Sequence, residues 1–209
     1  MNRDNPSIEI WLGGRMLDIA NITKRDISIE DIGESLSKLC RFGGSSSKFY
    51  SVAQHSLLVC AMAEYVRPGD KKFAACALLH DASEAYVGDV RTPLKDAIAG
   101  YKPIEDRVHE AIRQAFALPY EKSVWQEVHI LDRLAFGIEA NTLLRGAAGQ
   151  PFAVGPAEFG NALLEMRANN GHPVVNAPIP ETEVSSLIWR EIFPGEALVL
   201  FYRKFWRTV

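Results

Sequence analysis

From Ser28 onward the apolar residues of the chain recur at helical spacing, and glycine or proline interrupts the pattern at intervals. Ser28 is a suitable helix cap, and Ile32 and Leu36 continue one apolar face towards Gly43-Gly44, where we expect the first helix to end. Further helices are predicted near residues 51–66, 70–88, 93 onward, 101–117, 123–145, 156–170, 181–192 and 195–206. This pattern predicts a mainly α-helical bundle.

Residues 8–19, before the helical part, read IEIWLGGRMLDI, which is two short strand-like runs around Gly13 and Gly14. A two-residue glycine loop suits a primed hairpin turn, because such a turn needs positive φ angles that glycine adopts readily. We therefore expect a small N-terminal β-hairpin, and nothing else in the chain has the pattern of a sheet. The organisation predicted is one domain, 1–209, with the hairpin as an appendage and C-terminal helices over 150–209.

Composition limits the classes of partner. The chain has 23 lysines and arginines against 26 aspartates and glutamates, a net charge of -3, so no overall positive field draws it to a nucleic-acid polymer. Three cysteines without paired spacing are interpreted as reduced packing residues. No apolar signal core or membrane-spanning run is evident. We expect a cytoplasmic protein that avoids membranes. The aromatic C-terminus, LVLFYRKFWRTV, is interpreted as core or a homodimer interface, with an amphipathic surface helix as the alternative.

The pair His80-Asp81 directly follows the apolar run FAACALL. A carboxylate that emerges from a buried helical face is costly unless a cation or a hydrogen-bond donor compensates it. His55 lies in the preceding helix, in SVAQHSLLVCA, and packing of the two helices would bring it opposite His80. Two imidazoles and a carboxylate suit a mid-series divalent ion that keeps open positions for water or a phosphoryl oxygen. These three residues are therefore candidate metal ligands.

This arrangement resembles the HD-domain phosphohydrolases, whose signature is one histidine, a later His-Asp pair and a distant aspartate. The bacterial 5′-deoxynucleotidase group is the most similar, over residues 36–140, and the likeness is tight in RFGGSSSKFYSVAQHS and LLHDASEAYVGDVRTPLK. It implies an HD-type bundle that binds one divalent ion (Mn, Co, Fe or Zn) through His55, His80, Asp81 and a later aspartate. Asp132 is preferred to Asp106, because the segment VHILDRLAFGIEAN places it at the rim of an inward face.

The same resemblance implies two catalytic carboxylates. The group has a glutamate and an aspartate that serve the active site after its His-Asp pair, and Glu84 and Asp89 occupy those positions here. On a continuous helix Glu84 would share a face with His80 and Asp81, where it could orient or deprotonate the attacking water. Taken singly, Glu84 is equally an exposed helix charge and Asp89 a turn residue after a glycine.

Candidate substrate-binding residues are Arg41, Phe42 and Lys95. An arginine followed by an aromatic residue precedes the first histidine in the group, and Phe42 stands here where tryptophan is usual. Arg41 can clamp a phosphate in a forked geometry, and Lys95, near a predicted helix start, can add a second positive contact. From the residues alone, Arg41 is equally a helix-end arginine and Lys95 a solvated lysine.

The resemblance implies a phosphohydrolase that acts on nucleotides, most simply converting a deoxynucleoside 5′-monophosphate to deoxynucleoside and phosphate. Two alternatives stay open: release of triphosphate from a deoxynucleoside triphosphate, and a nucleotide-binding module without turnover. His109 and His129 raise the further alternative of a second metal, as in HD proteins with two additional histidines. Because His129 precedes Asp132 closely in the sequence, we favour one ion and interpret both histidines as structural.

Overall fold

The computed structural model describes residues 7–173, 187–188 and 192–209 and is mainly α-helical, as the sequence predicts. Its helices, numbered in chain order, are α1 (Ile29–Lys38), α2 (Val52–Val66), α3 (Lys71–Leu78), α4 (Glu84–Val87), α5 (Thr92–Ala97), α6 (Tyr101–Ala115), α7 (Lys122–Leu143), α8 (Pro156–Asn169) and α9 (Pro194–Thr208). A single cluster of buried apolar side chains extends from the residues of the hairpin to those of α9. Every described helix except α5 therefore contributes to one core.

The predicted N-terminal hairpin is confirmed. Strand β1 (Glu9–Leu12) pairs antiparallel with β2 (Arg15–Asp18). Gly13 and Gly14 connect them with φ angles of 57° and 75°, and positive φ at both central residues is what a type I′ turn requires. A local sequence signal was sufficient here because a two-residue loop sets its own geometry.

Helix α1 begins where predicted but ends earlier. The Ser28 hydroxyl accepts a hydrogen bond from the backbone amide three residues on, at 3.2 Å, which caps the helix. The helix was expected to continue to Gly43-Gly44, yet it ends at Lys38. The chain turns there because Cys40 and Ser51 form an isolated antiparallel bridge. The residues between these two form a loop that returns to the start of α2.

Helix α2 lies at the centre of the molecule. It packs against α1, α3, α7, α8 and α9, and nearly all of its side chains are buried. Ser51 caps it by accepting from the backbone amide of Gln54, whose side chain accepts in return from the Ser51 amide at 3.0 Å. A helix that is buried on all sides must find partners inside the protein for any polar side chain it carries. His55, which is fully buried on α2, is such a side chain.

The helix predicted over 70–88 is interrupted at the His-Asp pair, so its continuity was wrong. Helix α3 ends at Leu78, a tight turn follows, and the Glu84 amide donates to the Asp81 carbonyl at 3.0 Å as α4 begins. Neighbouring side chains on a regular α-helix diverge by about 100°. In the turn, His80 Nε2 and Asp81 Oδ2 instead lie 3.3 Å apart. The break thus lets two adjacent residues reach the same point.

The later helices agree with the predicted segments, with small differences at their ends. Helix α5 begins at Thr92, one residue before the predicted start, and has its proline in the first turn. Of the helix predicted over 181–192, only residues 187–188 and 192 are described; they are buried, and the rest of that prediction lies outside the described residues.

Helix α9 packs against α1, α2 and α3 through Ala197, Phe201 and Phe205, so one face of the aromatic C-terminus is core, as expected. Its other face exposes Trp206. The homodimer interface stays a prediction. Over the ranges that the structure describes, no helix is both long and apolar enough to cross a membrane.

Candidate metal centre

Side chains from α2, from the turn after α3 and from α7 bring possible ligand atoms to one point. His55 Nε2 lies 3.2 Å from His80 Nε2, 3.5 Å from Asp81 Oδ2 and 3.1 Å from Asp132 Oδ1. His80 Nε2 lies 3.7 Å from Asp132 Oδ1. Ligands that bind one ion at about 2.1 Å stand about 3.0 to 3.4 Å from one another. The group of His55, His80 and Asp81, whose ligand atoms lie within 4.8 Å of one another, could therefore hold a metal ion.

The hydrogen bonds of the two imidazoles determine which nitrogen is free to bind a metal. His55 Nδ1 lies 2.7 Å from Glu139 Oε1, and His80 Nδ1 lies 2.7 Å from the carbonyl oxygen of Ala77. Both partners are acceptors, so each ring donates through Nδ1, and in its neutral form it has its lone pair on Nε2. The two lone pairs point into the same cluster, and this donor set fits a divalent cation.

The electrostatics of the cluster favour positive charge. Burial lowers the pKa of His80, but the carboxylate of Asp81 and the hydrogen bond to Asp132 outweigh burial and hold that pKa well above its ordinary value. Burial raises the pKa of Asp132, but its contacts with His55 and His80 bring that pKa far below the usual range. Carboxylates that are shielded from solvent need a compensating positive charge, which a metal ion held by this group would supply.

Glu139, which the sequence analysis missed, forms hydrogen bonds with His55 and Arg41 and so helps to position both residues at the centre. It is fully buried on α7, and its Oε1 accepts a hydrogen bond from Tyr50 Oη at 2.8 Å besides the one from His55. Its Oε2 accepts from Arg41 Nε at 2.9 Å. Asp132 and Glu139 are about two helical turns apart, so both face the centre. That spacing of two carboxylates on one helix was the signal by which the sequence could have indicated Glu139.

Substitution Glu139→Gln is expected to lower the metal affinity about 10- to 100-fold. The amide weakens the negative partner of the His55 imidazole and leaves the buried Arg41 guanidinium without its nearest countercharge. Calorimetric titration with Mn(II) or Zn(II) measures the change, with circular dichroism to show that the fold persists. Glu127→Gln is the matched control, since Glu127 also lies on α7 and pairs with an arginine, Arg67. Equal affinity in both variants would contradict the supporting role.

Arg41 borders the centre, where a phosphate clamp is expected. It is buried, with one terminal nitrogen 3.6 Å from Asp81 Oδ2 and the other 3.9 Å from Asp132 Oδ1. The next residue, Phe42, has a φ of 59°, a backbone conformation that residues other than glycine rarely adopt. Arg91 donates to the Phe42 carbonyl at 2.6 Å and so stabilises the turn. Strained backbone that a neighbouring contact holds in place is typical of functional sites.

The two predicted catalytic carboxylates lie next to this centre. Glu84 is buried, and within the described part of the chain its Oε2 has no hydrogen-bond partner. Burial, reinforced by the charges of Asp81 and Asp89, raises the pKa of Glu84 well above its ordinary value. Burial likewise raises the pKa of Asp89, despite the opposing charge of Arg41. A buried carboxyl oxygen without a partner is suited to meet water or a ligand.

Lys95 does not stand as an isolated positive charge. Its Nζ lies 2.7 Å from Glu105 Oε1 and 3.8 Å from Glu84 Oε1. Glu105, on α6, is buried and was not identified from the sequence. The ammonium group therefore compensates two glutamates beside the centre, and contact of Lys95 with a substrate stays a prediction.

A cavity of about 550 Å³ adjoins Asp81 and Glu84 and is lined by residues of α4, α5, α6 and α7. His109 and His129 both line it. His109 Nε2 lies 3.1 Å from the hydroxyl of Ser83, and burial lowers the pKa of His109. His129 is exposed, and its Nδ1 comes no closer than 3.8 Å to Asp132 Oδ2. Both histidines thus lie beside the centre rather than in the cluster of ligand atoms.

Comparison with models of known protein families gives no match. The chain is 45% identical over 98 residues to the uncharacterized protein YfdR of Escherichia coli K12, an alignment that covers 47% of this chain and 52% of that protein. It is 43% identical over 112 residues to an uncharacterized protein of Rhodobacter capsulatus, which covers 52% of this chain and 57% of that protein. The chain spans about half the length of these curated relatives. It therefore has bacterial relatives whose names assign no activity.

Proposed function

We propose that the protein is an HD-type, metal-dependent phosphohydrolase that acts on nucleotides, and that it converts a deoxynucleoside 5′-monophosphate to deoxynucleoside and phosphate. The observation that carries the proposal is the convergence of His55, His80, Asp81 and Asp132, with both imidazole lone pairs directed inward. Because the sequence in this region also resembles the 5′-deoxynucleotidase group, both the ligand atoms and their surroundings support the same chemistry.

The proposed ligands are His55, His80, Asp81 and Asp132. A divalent ion held by them would polarise the phosphoryl group and promote ionisation of a water molecule. The remaining chemistry falls to side chains around the cluster. Arg41 presents its terminal nitrogens towards Asp81 and Asp132, a position from which it can bind phosphoryl oxygens.

Proton transfer is assigned to the two carboxylates. A cation held at the cluster would favour the ionised form of Glu84, which could then accept a proton from the attacking water through its unpartnered Oε2. As that water adds to phosphorus, the bond between phosphorus and the ester oxygen breaks. Asp89 is assigned the other transfer: burial raises its pKa, so it can keep a proton and donate it to the departing oxygen once Glu84 is ionised. The products are then an alcohol, here the nucleoside, and inorganic phosphate.

The charge of the adjoining cavity supports a monophosphate over a triphosphate. Its lining contains four carboxylates, from Asp81, Glu84, Asp96 and Glu105, and two ammonium groups, from Lys95 and Lys102. Both lysines already pair with Glu105. Additional phosphate groups on this side of the centre would meet this negative surface and be repelled.

A phosphate-release screen tests the proposed function. The purified protein is incubated with Mn(II), Co(II), Fe(II) or Zn(II) and with nucleoside mono- and triphosphates, and the products are separated. We expect inorganic phosphate from deoxynucleoside monophosphates, loss of the reaction after chelation, and recovery when metal is restored. Triphosphate as the product would favour the alternative substrate. Tight nucleotide binding without turnover under all four metals would favour a binding module and refute the hydrolase.

A further inference from the structure

An exposed aromatic surface borders the metal centre. The ring centroids of Phe42 and Phe136 are 6.0 Å apart, and those of Phe136 and Phe152 are also 6.0 Å apart. Phe136 is 37% exposed and Phe152 is 48% exposed. We call Phe136 and Phe152 the aromatic platform. Two neighbouring rings that are partly open to solvent offer a π face as well as apolar area to a ligand.

The platform is continuous with the centre. Phe136 lies one turn after Asp132 on α7, and residues at this spacing are neighbours on a helix surface. From the other side, Phe42 follows Arg41, whose guanidinium carbon lies 5.4 Å from the centroid of the Phe42 ring. A ligand whose phosphate lies against Arg41 therefore has the platform within reach of its other end.

The position of Phe152 is fixed by a close approach of two backbone segments. The Val154 amide donates to the carbonyl of Gly137 on α7 at 3.0 Å. A Cβ atom at Gly137 would collide with the side chain of Val154, so glycine is required for this approach. The segment around Phe152 therefore packs directly on α7, and the platform is preformed in the absence of a ligand.

We infer that the aromatic platform stacks against the nucleobase of the substrate, an inference that rests on the proposed function. Every base has a π face, so stacking gives affinity with little dependence on base identity. Most of the described residues that line the cavity on the Asp81 side are charged or polar, and Ile98 is the one large apolar residue among them. Of the two surfaces that adjoin the centre, the platform is therefore the one that suits a planar aromatic group.

The test compares a nucleotide with the same molecule lacking its base. Dissociation constants for a deoxynucleoside 5′-monophosphate and for deoxyribose 5-phosphate are measured by calorimetry with Mn(II), in a Glu84→Gln background so that turnover is not required. Replacing Phe136 and Phe152 together by alanine is expected to lower the affinity for the nucleotide about fivefold to a hundredfold. Affinity for the sugar phosphate should stay the same. Replacing both by tyrosine should retain nucleotide binding.

Trp11→Ala is the control, because it removes an exposed aromatic ring from the hairpin and should change neither constant. An unchanged nucleotide affinity in the double alanine variant, or an equal loss for both ligands, would overturn the inference. The inference would also be overturned if the protein with both platform residues intact bound the nucleotide no more tightly than the sugar phosphate. Phosphate release is measured separately in the protein with Glu84 intact. Its absence would refute the hydrolase, whereas the difference between the two ligands decides the platform.

Discussion

The variants Asp81→Asn and Asp132→Asn are expected to lose metal binding and to release phosphate at a rate reduced by a factor of about a thousand or more. The reason is that a bound metal supplies several kcal/mol of transition-state stabilisation. Asparagine preserves the size of each side chain but removes the charge that holds a cation beside His55 and His80. Metal content after dialysis and the initial rate of phosphate release are the two measurements. Thermal unfolding followed by circular dichroism reports whether the fold survives.

Asp106→Asn is the matched control for these variants. Asp106 was the alternative to Asp132 in the sequence, but in the structure it is exposed on α6 and pairs with Lys102 at 2.5 Å. Its substitution should leave metal content and rate unchanged. If instead Asp132→Asn kept full metal affinity while Asp106→Asn lost it, the proposed ligand set would be wrong.

Glu84→Gln is expected to reduce the rate of phosphate release by about two to four orders of magnitude, the usual contribution of a general acid or base, while metal stays bound. Glutamine fills the same buried volume but cannot accept the proton of the attacking water. Lys95 keeps its 2.7 Å contact with Glu105, so the local structure should persist. The measurement pairs kcat with metal content in the same preparation.

Glu110→Gln serves as the control for Glu84→Gln, because it replaces a glutamate of α6 whose carboxylate pairs with Arg113. Wild-type rates are expected there. Full activity of Glu84→Gln would remove this residue from the mechanism. Loss of metal together with activity would make Glu84 a ligand rather than the group that handles the proton.

The elements that sequence analysis predicted well are those whose geometry is set within a few residues. Gly13 and Gly14 determine the hairpin turn because both adopt positive φ angles. Ser28 and Ser51 determine the starts of α1 and α2, since each hydroxyl accepts a hydrogen bond from a backbone amide nearby in the chain.

Predictions failed where partners distant in the chain compete with local preference. Helix α1 ends early because Cys40 pairs with Ser51, a contact that no periodic pattern reports. The helix over 70–88 breaks at His80, where the ring bonds the carbonyl of Ala77 and turns towards His55. In both places the local helical signal was genuine, and tertiary contacts outweighed it.

By itself, the sequence determined that the chain is mainly helical with an N-terminal hairpin, and it identified His55, His80 and Asp81 as residues able to hold a metal. Only the tertiary structure decided how they meet: the break after α3 brings neighbouring side chains to one point, and Glu139 selects the nitrogen that His55 presents. The physical reason is that residue types and helical periodicity are properties of the sequence, whereas ligand distances and buried hydrogen bonds depend on how the helices pack.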